Sequence, residues 1–348
     1  MKYLKVITAS PGLSGAGLVF DYLLDRNDFI SPFKEYPDKD QQSEFRFVTD
    51  PGGLNSLYNG FYKNFSTNNC AYVYDEFNKY LKKISKLTIV ENNKKKKKKS
   101  KLKIVKKKKK KKLYSNIFFK EIKKFKKKII KSSYYGLPQF HRLGLNKKDK
   151  LLWKITNRFR SAQQSKFLQM VLPVDEKTFI NESIKLVDKV LYSQVINKRK
   201  NIVIDQGANF WEPELSTIFY SNKKIILITR DPRSIFASMK SRKSLSYPGH
   251  NVNIFIDWYQ SIISKIRAFK KSKNVLLIKY EKFIINHGNE SKKLLKFLKI
   301  KKIDKNIFNI DDSRKNIYKA DKVLTKKEKH LIETKLKKYL QWPKKKSI

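Results

Sequence analysis

Arg230 and Ser238 stand eight residues apart in the run KIILITRDPRSIFASMKSR, Lys224–Arg242. Arg offers a planar fork of donors that matches phosphate oxygens. Ser adds a hydroxyl to the same helix flank as Ser234, four residues earlier. Near the N-terminus, SPGLSGAG (Ser10–Gly17) supplies glycines at Gly12, Gly15 and Gly17. A turn of this composition lets backbone N–H groups close around an anion. A third group, Glu44 with Arg46 two residues on, lies about thirty residues after that turn. A carboxylate there can accept a proton from a hydroxyl nucleophile. The plain alternatives are an ordinary strand–loop–helix joint at Arg230 and a surface Glu–Arg pair at Glu44.

The elements needed to position these groups are legible. Tyr3–Ala9 and the Ile/Leu run before Arg230 read as buried strands, and Leu18–Leu24 as an apolar helix. Asp231 caps the next helix, with Pro232 in its first turn. Each strand therefore delivers its polar groups to a helix N-terminus, where the dipole favours an anion. Val275–Lys279 and Asn201–Asp205 read as further buried strands, with Tyr280 opening a helix and Asp205 at a carboxyl end. A Walker A loop would end in Gly-Lys-Ser/Thr; Gly15-Ala16-Gly17-Leu18 stands here, which disfavours an ATP- or GTP-using kinase.

Taken together, these segments resemble the sulfotransferases that use 3′-phosphoadenosine 5′-phosphosulfate (PAPS). In that family a Gly-containing loop after the first strand holds the 5′-phosphosulfate. A later Arg, with Ser eight residues on, holds the 3′-phosphate. VLLIKYEKF (Val275–Phe283) and DSRKNIYKADKVL (Asp312–Leu324) resemble two further family segments, in the expected order. The resemblance implies an α/β fold: a central parallel sheet flanked by helices, the P-loop NTPase-like sulfotransferase fold, with a helical cap. It implies a donor site made of Gly12, Leu13, Ser14, Gly15, Ala16, Gly17, Arg230, Ser238, Tyr280, Arg314, Lys315 and Asn316. Tyr280 would contact adenine, and Arg314, Lys315 and Asn316 would grip the 3′-phosphate a second time. Glu44 would be the general base and Arg46 a substrate-binding residue; Glu35, Asp50 and His141 are lesser candidates. The implied reaction moves a sulfuryl group from PAPS to a hydroxyl or amine of an acceptor, a saccharide or glycolipid.

Leu13 departs from the family, which carries Lys or Arg there to stabilise the leaving oxygen. Ala16 and Gly17 replace hydroxyl residues, and Asn316 stands where many relatives have Gly. The alternative is therefore a catalytically impaired nucleotide- or polyanion-binding relative. No His/Cys spacing suggests a metal.

Composition frames the rest. The 348 residues suffice for one α/β domain, with 92–131 as a basic low-complexity insertion. Net charge is +51, and Lys94–Lys131 holds 22 lysines against Glu121 alone. Such density predicts an unstructured tract able to touch a polyanion or acidic membrane, without stacking aromatics for specific nucleic-acid reading. Beyond it, Leu113–Ile130 reads as a basic amphipathic helix packing through one face of Ile117, Phe118, Glu121, Ile122 and Phe125. Single Cys70 reads as a buried residue. The first strand begins almost at once, leaving no room for a leader or anchor, so a cytoplasmic location is expected.

Overall fold

The computed structural model describes residues 3–32, 46–86, 88–91, 109–112, 116–136, 147–148, 151, 168–194, 200–243, 246–266, 272–300 and 310–341. Nine strands occur among the described residues: β1 (Lys5–Ala9), β2 (Phe29–Ile30), β3 (Thr88–Glu91), β4 (Lys109–Lys112), β5 (Ile130–Gly136), β6 (Leu168–Pro173), β7 (Asn201–Ile204), β8 (Lys223–Thr229) and β9 (Val275–Lys279). The chain forms two compact units, Met1–Lys34 with Ser43–Phe45 and Val195–Ile348, and Glu35–Gln42 with Arg46–Gln194.

The first unit is built on a five-stranded sheet of order β2-β7-β1-β8-β9. All its pairings are parallel, with β1 between β7 and β8 and Ile7 opposite both Ile204 and Ile225. Parallel strands covered on both faces must be apolar almost throughout, and this sheet obeys that rule. Val6, Val203, Ile226, Ile228 and Ile278 are buried with Val19 and Leu23 of helix Ala16–Leu24 and with Phe283, Leu294 and Leu298. Burying each such side chain contributes about 1.5–3 kcal/mol. The buried charge among them is Lys5 at the amino end of β1, where its Nζ donates to the Ser221 carbonyl at 3.1 Å and to Ser221 Oγ at 2.9 Å. This is the central parallel sheet flanked by helices that the sequence predicts.

The second unit is mainly helical. Helix Leu54–Tyr58 runs into a π-helical turn, Asn59–Lys63, followed by helices Thr67–Ile84, Asn116–Ile129 and Glu176–Gln194. Phe47, Phe61, Phe77, Phe118, Phe125 and Phe179 form its aromatic core, with Phe118 edge-on to Phe47 at 5.2 Å. Cys70 is buried, as expected.

Several local expectations change. Lys109–Lys112, read as part of an unstructured tract, pairs with β3 as an antiparallel strand. Asn116–Ile129 is the expected amphipathic helix, with Phe118, Ile122, Phe125 and Ile129 buried, but Ile117, expected on that face, is exposed; residues 92–108 lie outside the described residues. Tyr134–Asn146, with Gly136, Pro138 and Gly144, reads as loop, but residues 134–136 belong to β5, which pairs with β6 some thirty to forty residues later. The partner strand is non-local, so local pattern could not reveal it. Residues 46–50, whose polar–apolar alternation reads as an exposed strand or a helix start, form a turn that buries Phe47 and Val48. No helix among the described residues is long and apolar enough to cross a membrane.

Candidate functional site

The carboxyl ends of β1 and β8 each pass into a helix of the first unit. At β1 the turn is tight. Gly15 has φ 88°, a region glycine enters without steric cost, and Leu13 is also left-handed at φ 54°. A Cβ on Gly15 would stand 2.4 Å from the Tyr280 ring, and one on Gly12 would stand 2.4 Å from the Tyr247 ring. Glycine is thus required at both positions by close approach. Gly15 is the N-cap of helix Ala16–Leu24 and supplies no side-chain cap. Among the described residues the backbone N–H groups of Gly12 through Gly17 make no hydrogen bond. These open donors and the positive end of the helix fit an anionic group. Ser14 is buried, and its hydroxyl donates back to the Pro11 carbonyl, closing the turn on itself.

At β8, Asp231 is fully buried and accepts from the Arg233 amide at 3.0 Å, capping helix Pro232–Ser241. The cap fixes where Arg230 leaves the strand. The Arg230 guanidinium is 4% exposed, yet its hydrogen bonds go to neutral groups. Nη1 donates to the Leu13 carbonyl at 3.3 Å and to Ser238 Oγ at 3.2 Å. Nη2 donates to the Asn316 carbonyl at 2.5 Å. One side chain thus joins the Gly-rich turn, the helix after β8 and the late loop. The guanidinium also lies 4.7 Å over the Tyr280 ring, and Tyr280 itself donates to the Ser313 carbonyl at 3.3 Å.

The electrostatics leave positive charge available. Burial lowers the Arg230 pKa, opposed by Tyr280, Glu281 and Asp231, while Arg242 lowers it further. An Arg remains protonated through such shifts. Its nearest carboxylate is Glu281, with Oε1 3.9 Å from Nε. Glu281 is 1% exposed, and burial, then Asp231, push its carboxyl up to about 7. Lys319 is half-buried, and its pKa is lowered by burial and then by Arg242 and Arg230. Arg242 thus bears on Arg230 and both bear on Lys319, a like-charge strain that an anion would relieve.

The structure brings together Gly12, Leu13, Ser14, Gly15, Arg230, Ser238, Tyr280 and the backbone of Asn316. Ala16 and Gly17 form the first turn of the helix beyond Gly15. Arg314 and Lys315 have exposed side chains, and Arg314 pairs with Asp311 at 2.9 Å on its own short helix. Arg46 and Asp50 lie in the second unit, where burial raises the Asp50 pKa and Tyr80 donates to it at 3.1 Å. Glu44, Glu35 and His141 lie outside the described residues. Arg242, Tyr247, Lys319 and Glu281 were not singled out from sequence. Only Glu281 had a signal, its place directly after Tyr280; the others reach the site through folding alone. Among the described residues no group of His, Cys, Asp or Glu could hold a metal.

A family model described as the sulfotransferase domain matches residues 149–341. This is more than half of the chain, and the chain belongs to that family, enzymes that use PAPS as sulfuryl donor. Among solved structures, the sulfotransferase domain from the curacin biosynthetic pathway is 14% identical, with 99% of both chains covered and a TM-score of 0.40. A mouse sulfotransferase complexed with PAP is 16% identical, covering 44% of this chain and 70% of that one at a TM-score of 0.29. A Mycobacterium avium sulfotransferase is 9% identical, covering 96% and 75% at 0.37. No curated protein sequence matches.

Proposed function

We propose that the first unit holds PAPS across the carboxyl edge of its sheet and that the chain transfers the sulfuryl group to a hydroxyl of a saccharide or glycolipid. The observation that carries this reading is the Arg230 guanidinium bridging the Leu13 carbonyl, Ser238 Oγ and the Asn316 carbonyl. Amides of Gly12–Gly17 take the 5′-phosphosulfate; Arg230 and Ser238 take the 3′-phosphate, with Arg242 and Lys319 adding positive potential. Tyr280 stands at the junction of the two anion sites. Glu44 removes the acceptor proton as oxygen attacks sulfur in line. The bond from sulfur to the bridging phosphate oxygen breaks, and 3′-phosphoadenosine 5′-phosphate leaves. Leu13 supplies no cation to the leaving oxygen, so the loop amides carry that charge. Losing one preorganised donor costs about a hundred- to thousand-fold in rate, so slow turnover is expected. The saccharide class is supported by the strongly basic composition, which favours acidic acceptors.

Calorimetry with 3′-phosphoadenosine 5′-phosphate against ATP tests the donor site. Selective binding of the former is expected; equal affinities would remove the dedicated 3′-phosphate site. Transfer of labelled sulfate from PAPS to a panel of sugars tests catalysis. Glu44→Gln should abolish transfer while keeping nucleotide affinity, and unchanged turnover would remove Glu44 as base. Tight nucleotide binding with no transfer to any acceptor would favour the impaired, binding-only alternative.

A further inference from the structure

A second basic site lies wholly within the second unit. Helix Asn116–Ile129 carries lysines on two flanks with different surroundings. On one flank, Lys124 pairs with Glu121 at 2.9 Å and Lys128 with Glu182 at 2.9 Å. Lys185 and Lys189 of the neighbouring helix join the same carboxylates at 2.6 and 2.9 Å. On the other flank, Lys123, Lys126 and Lys127, with Lys131 of β5, line a solvent-open cleft of about 580 Å³. Among the described residues these four lysines have no carboxylate within ion-pairing distance.

Lys126 shows what the cleft lacks. It is half-buried, and burial, then Lys82, lower its pKa. Its partners are neutral: Nζ donates to Asn78 Oδ1 at 2.7 Å and lies 5.4 Å over the Tyr74 ring. A cation withdrawn from water among neutral partners and other cations is stabilised by an anion. The cleft is not polar throughout. Leu81, Phe119, Ile122 and Ile130 share its walls, and Ser132 and Ser133 add hydroxyls. A long polyanion would follow an open lysine surface and leave such walls wet. A concave site of this size that mixes apolar walls with several cations suits a small amphiphilic anion.

We infer that this cleft binds an anionic amphiphile: a carboxylate, phosphate or sulfate ester headgroup held by Lys123, Lys126, Lys127 and Lys131, with its apolar chain against Leu81, Phe119, Ile122 and Ile130. The site is independent of the donor reading. It would hold an acidic lipid-like ligand whether or not the first unit binds PAPS.

The test is calorimetry on the full chain with octanoate and decanoate below their micelle concentrations. Inorganic sulfate and a sulfated oligosaccharide provide the headgroup and polyanion arms, and phosphatidylserine vesicles the membrane arm. Decanoate should bind roughly tenfold more tightly than octanoate, as two buried methylenes require. Lys126→Met and the pair Lys123→Ala with Lys127→Ala should each weaken decanoate at least tenfold. The pair Lys124→Ala with Lys128→Ala removes the same charge from the opposite flank and should change it less than twofold. Equal weakening by both pairs would overturn the site in favour of diffuse charge. Affinity independent of chain length, or binding of only the sulfated oligosaccharide or only the vesicles, would overturn it too.

Discussion

Arg230 is the residue on which the proposed donor site turns. Its two terminal nitrogens address three separate segments at once, which a lysine, a point charge on a flexible stem, cannot reproduce. Arg230→Lys should therefore weaken binding of 3′-phosphoadenosine 5′-phosphate by at least tenfold in calorimetry while the fold persists; wild-type affinity in that variant would refute the role. Glu281 gives a pH-dependent prediction. Its folded pKa is about 7 against an ordinary 4.5. Between those values the unfolded chain has released the proton and the folded chain still holds it. Stability from this group is thus full below about pH 4.5 and falls as pH rises toward 7. Glu281→Gln keeps an acceptor for the Asp231 amide, which donates to Glu281 Oε1 at 3.1 Å. The wild type should lose melting temperature relative to that variant between pH 5 and pH 7.5; parallel profiles would show that Glu281 does not titrate there.

At the scale of elements, the turn after β1 works because two aromatic rings, Tyr247 and Tyr280, lie against Gly12 and Gly15. Gly15→Ala meets both a left-handed φ and the Tyr280 ring. The conformational part alone costs about 1–2 kcal/mol, so chemical denaturation should register at least that loss, with weaker nucleotide binding alongside. An unchanged midpoint would mean that the turn relaxes elsewhere. The helix after β8 is set differently. Its Asp231 cap is gripped by Arg233 at Nε, 2.9 Å, and Nη2, 2.9 Å, and Arg233 in turn pairs with Glu333 at 2.6 Å. The strand-to-helix joint was plain in the order Asp-Pro-Arg; the second partner, a hundred residues away, was not.

For the whole molecule the dominant quantity is a net charge of +51. Self-repulsion of that size opposes the compact state and is screened by salt. Melting temperature should therefore rise between 20 and 500 mM sodium chloride, although the same salt weakens anion binding. A flat or falling profile would mean that the local ion pairs, such as those of Glu121 and Glu182, outweigh the global repulsion. The two units divide the chemistry as well. The first carries the glycine turn and the Arg230 joint proposed to bind the donor, and the second carries the lysine cleft on its helices.

The sequence alone determined the parallel sheet, the glycine turn, and Arg230 with Ser238 one helix flank apart, because each is a local consequence of apolar runs, glycine freedom and helical period. It also placed the amphipathic helix beyond the lysine runs. It read β4 as unstructured and the end of β5 as loop, and it missed β2, β3 and β6, since a strand exists only through a partner that lies well away along the chain. Only the tertiary structure decided that Asn316 offers its carbonyl to Arg230, that Arg314 turns to Asp311, and that Arg242 lowers the pKa of Arg230 and both lower that of Lys319. Those positions depend on how distant segments pack around one buried charge, and burial itself is what makes that charge seek an anion.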